Sequence, residues 1–285
     1  MLESTELLHV GWVGLGDQGA PIARAIAEAG YPLHVWARRP QSLSALEGVP
    51  YTVHETPAEM AALSDIVGLC LSEDKDNKQI MVEGGLLAAM RPGSTLVNHG
   101  TGLPAFAVEM TELAATRDIH VVDAPVSGGR AGAVAKRLTT IVGGEATTVE
   151  KVRPIFESFS AKVAHMGAAG AGQVGKLVNN AMLMANQKNI DDLLSIAAEL
   201  GVDIPQLVDV IRSGTGSSRA LEVIGTAVTP ANAEHLSRLQ LIDMDLFDEA
   251  VAGLGRSARI ISRRAVEGAE ALPSLAAIVT PLDPE

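Results

Sequence analysis

The run Leu8-His-Val-Gly-Trp-Val13, with Gly14-Leu15-Gly16-Asp17-Gln18-Gly19 directly behind it, decides how the first half of the chain is read. An apolar strand meets a G-x-G-x-x-G, and a helical pattern from Gln18 to Ala29 follows. The three glycines serve different ends: the tight turn, close approach of backbone to a pyrophosphate, and close packing of helix on strand. Phosphates held there would meet the unpaired N–H groups and the dipole of a helix N-terminus. A tight turn with no ligand is the competing reading of the six residues alone. The strand before and the helix after favour dinucleotide binding by Gly14, Leu15, Gly16, Asp17, Gln18 and Gly19. Asp17 sits awkwardly in that set, because a carboxylate beside pyrophosphate repels it unless it points away.

Outward from this loop, apolar runs recur at Leu33–Trp36, Ile66–Leu71, Thr95–Asn98, Ile119–Val122, Thr139–Val142 and Lys162–His165. Several are continuous rather than alternating, as in strands covered on both faces. Helical patterns lie between them at Pro104–Thr116 and Thr147–Phe159. Strand and helix in alternation predict βαβ units and a mainly parallel sheet, a Rossmann-type α/β domain over residues 1–166. Beyond Met166 comes a small-residue stretch, Gly167 to Gly172, read as flexible, and then no convincing strand. One long helix is predicted from Lys176 to Leu200, ended by Gly201, with further helices at Pro205–Ile211, Ala231–Gly253 and Arg256–Glu270. Residues 167–285 are therefore expected to form an all-α domain joined through that long helix, with the boundary at the active-site cleft.

The arithmetic of the chain agrees with two domains. Its 285 residues are about twice the ~150 expected of one. Hydrophobic residues at 47% and charged residues at 20% give a globular balance. A formal charge of −12 argues against binding nucleic acid or an anionic membrane. The single Cys70 allows neither an internal disulfide nor a thiolate-rich zinc site, and no metal is expected. The acidic start, Met1 to Glu6, lacks a signal-peptide profile, and no apolar run reaches the roughly 18 residues of a membrane span. A cytoplasmic location is expected.

The end of the second strand bears on the choice of cofactor. A free ribose 2′-hydroxyl usually meets an Asp or Glu there. This chain has Ala37-Arg38-Arg39-Pro40 and no acid in the stretch. Two guanidiniums suit a 2′-phosphate, because Arg offers a rigid fork to phosphate oxygens, so NADP is expected ahead of NAD. Solvated arginines with no ligand are the competing reading. Leu71 and Ser72, where the third of these strands ends, complete the expected cofactor contacts on this side.

Two later segments carry chemistry. In Asp123-Ala-Pro-Val-Ser127-Gly128-Gly129 a Ser and two glycines leave backbone N–H groups uncovered for a small anion, though taken alone the segment reads as a plain turn. In Gly175-Lys176-Leu-Val-Asn179-Asn180 a lysine has two carboxamides one helical turn on, along one face. A Lys in a cleft can have its pKa lowered and become a usable proton donor and acceptor. A solvent-facing polar edge is the bland alternative, yet two successive asparagines inside a helix need a reason.

These motifs, in this order and at these separations, resemble the β-hydroxyacid dehydrogenase family, typified by 3-hydroxyisobutyrate dehydrogenase and tartronate semialdehyde reductase. The resemblance runs from about His9 to about Pro273. It implies a Rossmann domain, a long interdomain helix, a helical domain and a homodimer or homotetramer. It implies Lys176 as general acid/base, Asn180 as its partner at the substrate oxygen, and Ser127, Gly128 and Gly129 at the substrate's acid group. Thr101 matches the family's threonine near the nicotinamide ribose.

The chain also departs from the pattern. Asn98-His99-Gly100-Thr101 replaces the family's Asp-x-Ser-Thr, losing a carboxylate and a hydroxyl; His99 reads as a loop histidine with no particular role, the alternative being a titrating or hydrogen-bonding group at the site. Lys136-Arg137 replaces a Gly-Thr, Met244 stands where the family has the Lys of Lys-Asp-Leu, and the tail ending near Pro281 stops before the family's last helix. The expected function is an NADP-dependent oxidoreductase acting on a small β-hydroxy acid or aldehyde-acid. An imine or non-acid ketone reductase, for which Met244 and Gly100 leave a less charged pocket, and a non-catalytic NADP-binding protein are the alternatives.

Overall fold

The computed structural model describes residues 7–279. The acidic opening Met1–Glu6 and the end of the tail, including Pro281, lie outside the described residues. The chain divides into two compact units, Met1–Lys176 and Leu177–Glu285.

The first unit is built on a sheet. Its strands are β1 (Val10–Val13), β2 (Leu33–Trp36), β3 (Thr52–Val53), β4 (Ile66–Leu69), β5 (Thr95–Asn98), β6 (His120–Asp123), β7 (Val126–Ser127), β8 (Leu138–Gly143) and β9 (Ser160–Gly167). They lie in the order β3-β2-β1-β4-β5-β6-β8-β7, with β9 paired to β8. From β3 to β6 all pairs are parallel, with Val10 opposite both Leu33 and Ile66. Past β6 the sheet is mixed: β8 runs antiparallel to β6 and β7 and parallel to β9.

Helices α1 (Gly19–Glu28), α2 (Pro57–Ala62), α3 (Asp74–Lys78), α4 (Leu86–Ala89), α5 (Pro104–Ala115), α6 (Gly129–Val134) and α7 (Ala146–Glu157) surround this sheet. Side chains one apart on a strand serve opposite faces. Val10, Trp12, Ile66, Val97 and Val122 enter one core with Ile22 and Ile26 of α1 and Phe156 of α7. Val13, Val67, Leu69, Leu96 and Val121 enter the other with Met60 of α2 and Phe106 of α5. Burial on both faces is why these strands are apolar throughout. Helix starts follow capping chemistry: the Thr56 side chain accepts the Glu59 N–H ahead of Pro57, and Glu145 accepts from the N–H groups of Thr147 and Thr148.

α8 (Ala171–Glu199) crosses the unit boundary. The stretch Gly167 to Gly172 is ordered, not the flexible run expected, since β9 continues to Gly167 and α8 begins at Ala171. Its small residues are packing requirements. A Cβ at Gly172 would lie 2.6 Å from the Ile141 carbonyl oxygen and 2.7 Å from the Gly143 nitrogen.

The second unit is helical: the rest of α8, then α9 (Ile204–Ser213), α10 (Arg219–Val223), α11 (Ala233–Val251), α12 (Arg256–Glu270) and α13 (Leu272–Val279). Gly201, at φ +78°, turns the chain after α8, and the Asp203 side chain caps α9 by accepting the Gln206 N–H. One core joins Leu194, Val208, Leu221 and Leu275; another joins Leu177, Met184, Phe247 and Ala265. A Cβ at Gly268 would collide with the Met184 carbonyl, so α12 passes α8 backbone to backbone. Among the described residues no helix is long and apolar enough to cross a membrane.

Candidate active site

The strand order reverses between β1 and β4, and in open α/β sheets ligands bind beyond the carboxyl ends of the strands at such a point. The glycine loop leaves β1 here and Cys70-Leu71-Ser72 leaves β4 beside it. Gly14 has φ +100°, and a Cβ there would collide with the Cys70 carbonyl oxygen. A Cβ at Gly19 would collide with the Gly14 carbonyl oxygen, so the third glycine brings α1 against the turn. Gly16 faces open space. Gly14 thus serves the tight turn and Gly19 the close packing of helix on strand, while the backbone at Gly16 is left uncovered.

A cavity opens over this edge, lined by Gly14, Leu15, Gly16, Arg38, Arg39, Leu71 and Ser72 from the expected cofactor set. Trp36, Ala37, Ser42, Cys70, Asp76 and Ile80 line it too. Asp17, Gln18, Gly19 and Thr101 are not part of its wall. The Asp17 carboxylate is exposed, lies outside the cavity wall and is 3.8 Å from the Arg130 guanidinium. Burial pushes the Cys70 thiol up to about 12, so it stays protonated near pH 7.

The cavity also receives an acid from outside β2. Asp76, on α3, reaches the same cavity, and Arg38 Nη1 donates to its Oδ1 at 3.4 Å. The sequence conceals it, because the usual position for that acid lies along β2. Nothing in the local pattern of α3 marks Asp76 as a pocket residue.

Beyond β5 the departures from the family pattern have physical reasons. A Cβ at Gly100 would collide with the Leu71 carbonyl oxygen, so a serine does not fit this backbone. Asn98 Oδ1 accepts the Gly100 N–H at 2.9 Å, closing the turn. His99, expected to be an idle loop residue, is instead a core residue. Its ring is buried, Nδ1 lies 2.9 Å from the Ala124 carbonyl oxygen, and Trp12, Phe156 and Phe159 surround it. Burial pushes its pKa down to about 4, so it is neutral near pH 7.

Thr101 is half-buried between two residues held by a side chain that the sequence does not single out. Gln173, in the first turn of α8, accepts the Gly102 N–H at 2.9 Å and donates to the Gly100 carbonyl at 2.8 Å. Asp123, at the end of β6, accepts the N–H groups of Gly170 and Gln173, both at 2.8 Å. Desolvation raises its pKa and these backbone bonds oppose the rise. The first turn of α8 is therefore fixed at two points, and Lys176, 9% exposed, lies one turn further along.

Ser127 is half-buried at the end of β7, and Gly128 and Gly129 follow at φ +130° and +60°, leading into α6. Lys136 pairs with Glu28 at 2.9 Å on the surface. In the second unit Asn180 is buried, its Nδ2 donating to Asp243 Oδ2 at 2.7 Å and its Oδ1 accepting from exposed Asn179 at 3.1 Å. Met244, expected to replace a charged pocket residue, is instead fully buried in the core beside Phe247. Its apolar character is a packing requirement. Among the described residues no group of three or more His, Cys, Asp or Glu could hold a metal ion.

Comparison with known proteins agrees with this architecture. Residues 9–167 match the model of the NAD binding domain of 6-phosphogluconate dehydrogenase. Residues 170–264 match that of the NAD-binding domain of NADP-dependent 3-hydroxyisobutyrate dehydrogenase. The chain is 32% identical over 265 residues to a probable 3-hydroxyisobutyrate dehydrogenase of Mycobacterium tuberculosis, covering 90% of each. It is 32% identical over 216 residues to an NAD-dependent L-serine dehydrogenase of Pseudomonas aeruginosa, 75% of this chain and 72% of that protein. A solved structure of Mycobacterium tuberculosis 3-hydroxyisobutyrate dehydrogenase with L-serine is similar at TM-score 0.85 and 28% identity, over 96% of this chain and 98% of that one. With the glycine loop at the switch point, a Rossmann unit followed by a helical one, and these matches along its length, the chain belongs to the β-hydroxyacid dehydrogenase family of oxidoreductases.

Proposed function

We propose that this protein is an NADP-dependent dehydrogenase or reductase that interconverts a small β-hydroxy acid and the corresponding aldehyde-acid, with Lys176 as general acid/base. The observation that carries the reading is the anchoring of α8. Gln173 bonds both neighbours of Thr101, and Lys176 follows on the same rigid helix one turn later. Relatives named for 3-hydroxyisobutyrate and L-serine support a substrate with a hydroxyl β to a carboxylate.

When bound, the nicotinamide supplies or takes up the hydride. The chain's own residues do the rest. The glycine loop and Arg38 and Arg39 hold phosphates; Thr101 meets the nicotinamide ribose; Ser127, Gly128 and Gly129 offer N–H groups to the substrate carboxylate. Lys176 Nζ gives a proton to the carbonyl oxygen in reduction and takes it from the hydroxyl in oxidation. Asn180, one turn on along the helix, helps to orient that oxygen, its own carboxamide held by Asn179 and Asp243. Positioned acid/base catalysis contributes roughly 10²–10⁴-fold.

Lys176→Ala is expected to lower turnover by roughly that factor while the affinity for NADPH, measured by fluorescence titration, stays within about twofold. Retained turnover would remove Lys176 from the mechanism. Arg38→Ala is expected to weaken NADPH binding far more than NADH binding; equal losses would remove the preference for the 2′-phosphate. A panel of short β-hydroxy acids, ketones and cyclic imines tests the substrate class.

A further inference from the structure

We infer that Asp76 is the residue that sets the balance between the two nicotinamide cofactors, by competing for Arg38 and by repelling a 2′-phosphate. The inference rests on reading the cavity beyond β2 and β4 as the adenosine end of the cofactor site. In dinucleotide folds a carboxylate there takes the ribose 2′-hydroxyl and an arginine takes the 2′-phosphate. This cavity holds both groups. Arg38 and Arg39 come from the end of β2, whereas Asp76 comes from α3, far along the chain.

The two kinds of group are joined to each other. Arg38 Nη1 is 3.4 Å from Asp76 Oδ1, with the arginine side chain 64% exposed and the aspartate 23%. Such a long, open pair is weak and is easily exchanged for a stronger partner. A 2′-phosphate is that partner, because it is more highly charged than a carboxylate and accepts two parallel N–H bonds from one guanidinium. Once Arg38 has turned to the phosphate, Asp76 is left as an unmatched negative charge beside it. With a 2′-hydroxyl the situation is reversed: Arg38 stays on Asp76, whose second oxygen remains available to accept from the ribose. Lys75, the preceding residue, offsets the charge of Asp76 only in part, because its ammonium is shared with Glu73 at 2.7 Å. The negative charge of Asp76 thus keeps NADH competitive in a pocket whose arginines favour NADPH.

The test is a set of fluorescence titrations of the full chain with NADPH and with NADH, on the parent, Asp76→Asn, Asp76→Ser and Arg38→Ala. Both Asp76 variants are expected to shift the ratio of the two dissociation constants toward NADPH by on the order of tenfold, as removal of one like charge at short range across water-exposed space does. Arg38→Ala is expected to shift it toward NADH. If Arg38→Ala behaves so while neither Asp76 variant moves the ratio beyond twofold, Asp76 has no part in selection and the cofactor reading stands. A shift of the Asp76 variants toward NADH also overturns the inference. If no variant separates the two cofactors, the cavity does not read the 2′-position, and the cofactor reading falls with the inference.

Discussion

His99 replaces the second residue of a loop motif, and at the scale of the residue its chemistry is that of the core. A neutral imidazole between Trp12, Phe156 and Phe159 keeps its place only while uncharged. Its folded pKa of about 4 lies below the ordinary 6.5, so the unfolded chain takes up a proton that the native state refuses. Stability is therefore full above pH 6.5, falls as the pH drops toward 4, and levels off below. The shift corresponds to a loss of roughly 3 kcal/mol. His34, bonded on one side to His9 and on the other to His54, is also held low, by burial and by both neighbours, and adds a loss of the same sign. Asp123 has its pKa raised, and so contributes stability at low pH that is lost as the pH rises through its folded value; it cannot cause the acid loss. Urea midpoints at pH 7.5 and 4.5 are expected to converge for His99→Gln relative to the parent. An undiminished difference would assign the acid sensitivity to other groups.

At the scale of the element, the first turn of α8 does the positioning. Gln173 is 1% exposed, and both ends of its carboxamide are engaged by backbone around Thr101. Gln173→Met keeps the volume but strands the Gly102 N–H and the Gly100 carbonyl, each at a cost of about 1–3 kcal/mol. The expected outcome is weaker NADPH binding and a kcat lowered by about tenfold or more, with far-ultraviolet circular dichroism unchanged. A kcat equal to the parent's would separate the Thr101 loop from α8.

The same scale explains what could be read from the sequence. The strands β1, β2, β4, β5, β6, β8 and β9 and the helices α1, α5, α7, α9, α11 and α12 were legible to within a few residues, since each has a long enough apolar pattern or clear caps and stops. α8 was legible at its end but begins at Ala171, more than a turn before the Lys176 expected. The two-residue strands β3 and β7 and the short helices α2, α3, α4, α6 and α10 were not legible, because so few residues carry no period. α13 was missed because its nearly continuous apolar run shows no helical alternation and was read as a tail. The antiparallel pairing of β8 was also hidden, as strand direction leaves no mark in composition.

For the whole molecule, legibility followed distance along the chain. Groups adjacent in sequence, such as the glycine loop and Lys176 with its asparagines, could be picked out as candidates by spacing. Groups brought together by the fold, such as Asp76 with Arg38 and Gln173 with Gly100, could not. The partition into two compact units has a thermodynamic counterpart. The residues assigned to the cofactor all lie in the first unit, so saturating NADPH acts on the unfolding of that unit directly. At a hundredfold excess over Kd it adds about 2.7 kcal/mol. Calorimetry is expected to resolve two transitions with NADPH, the one that moves belonging to residues 1–176. One transition that moves as a whole would mean that the units unfold together.

Both tryptophans of the chain lie near the edge of the sheet where the glycine loop turns. Trp12 is buried beneath the glycine loop and donates its indole N–H to the Gly14 carbonyl, while Trp36 forms part of the cavity wall. With no third indole to dilute the signal, emission excited beyond the absorption of Tyr31 and Tyr51 comes from these two neighbours of the cavity. The enzyme therefore has a built-in optical gauge of its own occupancy. Trp36 is positioned to pass excitation to a reduced nicotinamide cofactor, and Trp12 to register movement of the loop. Exchanging either for phenylalanine would turn that composite gauge into a single-site one, without attaching any dye.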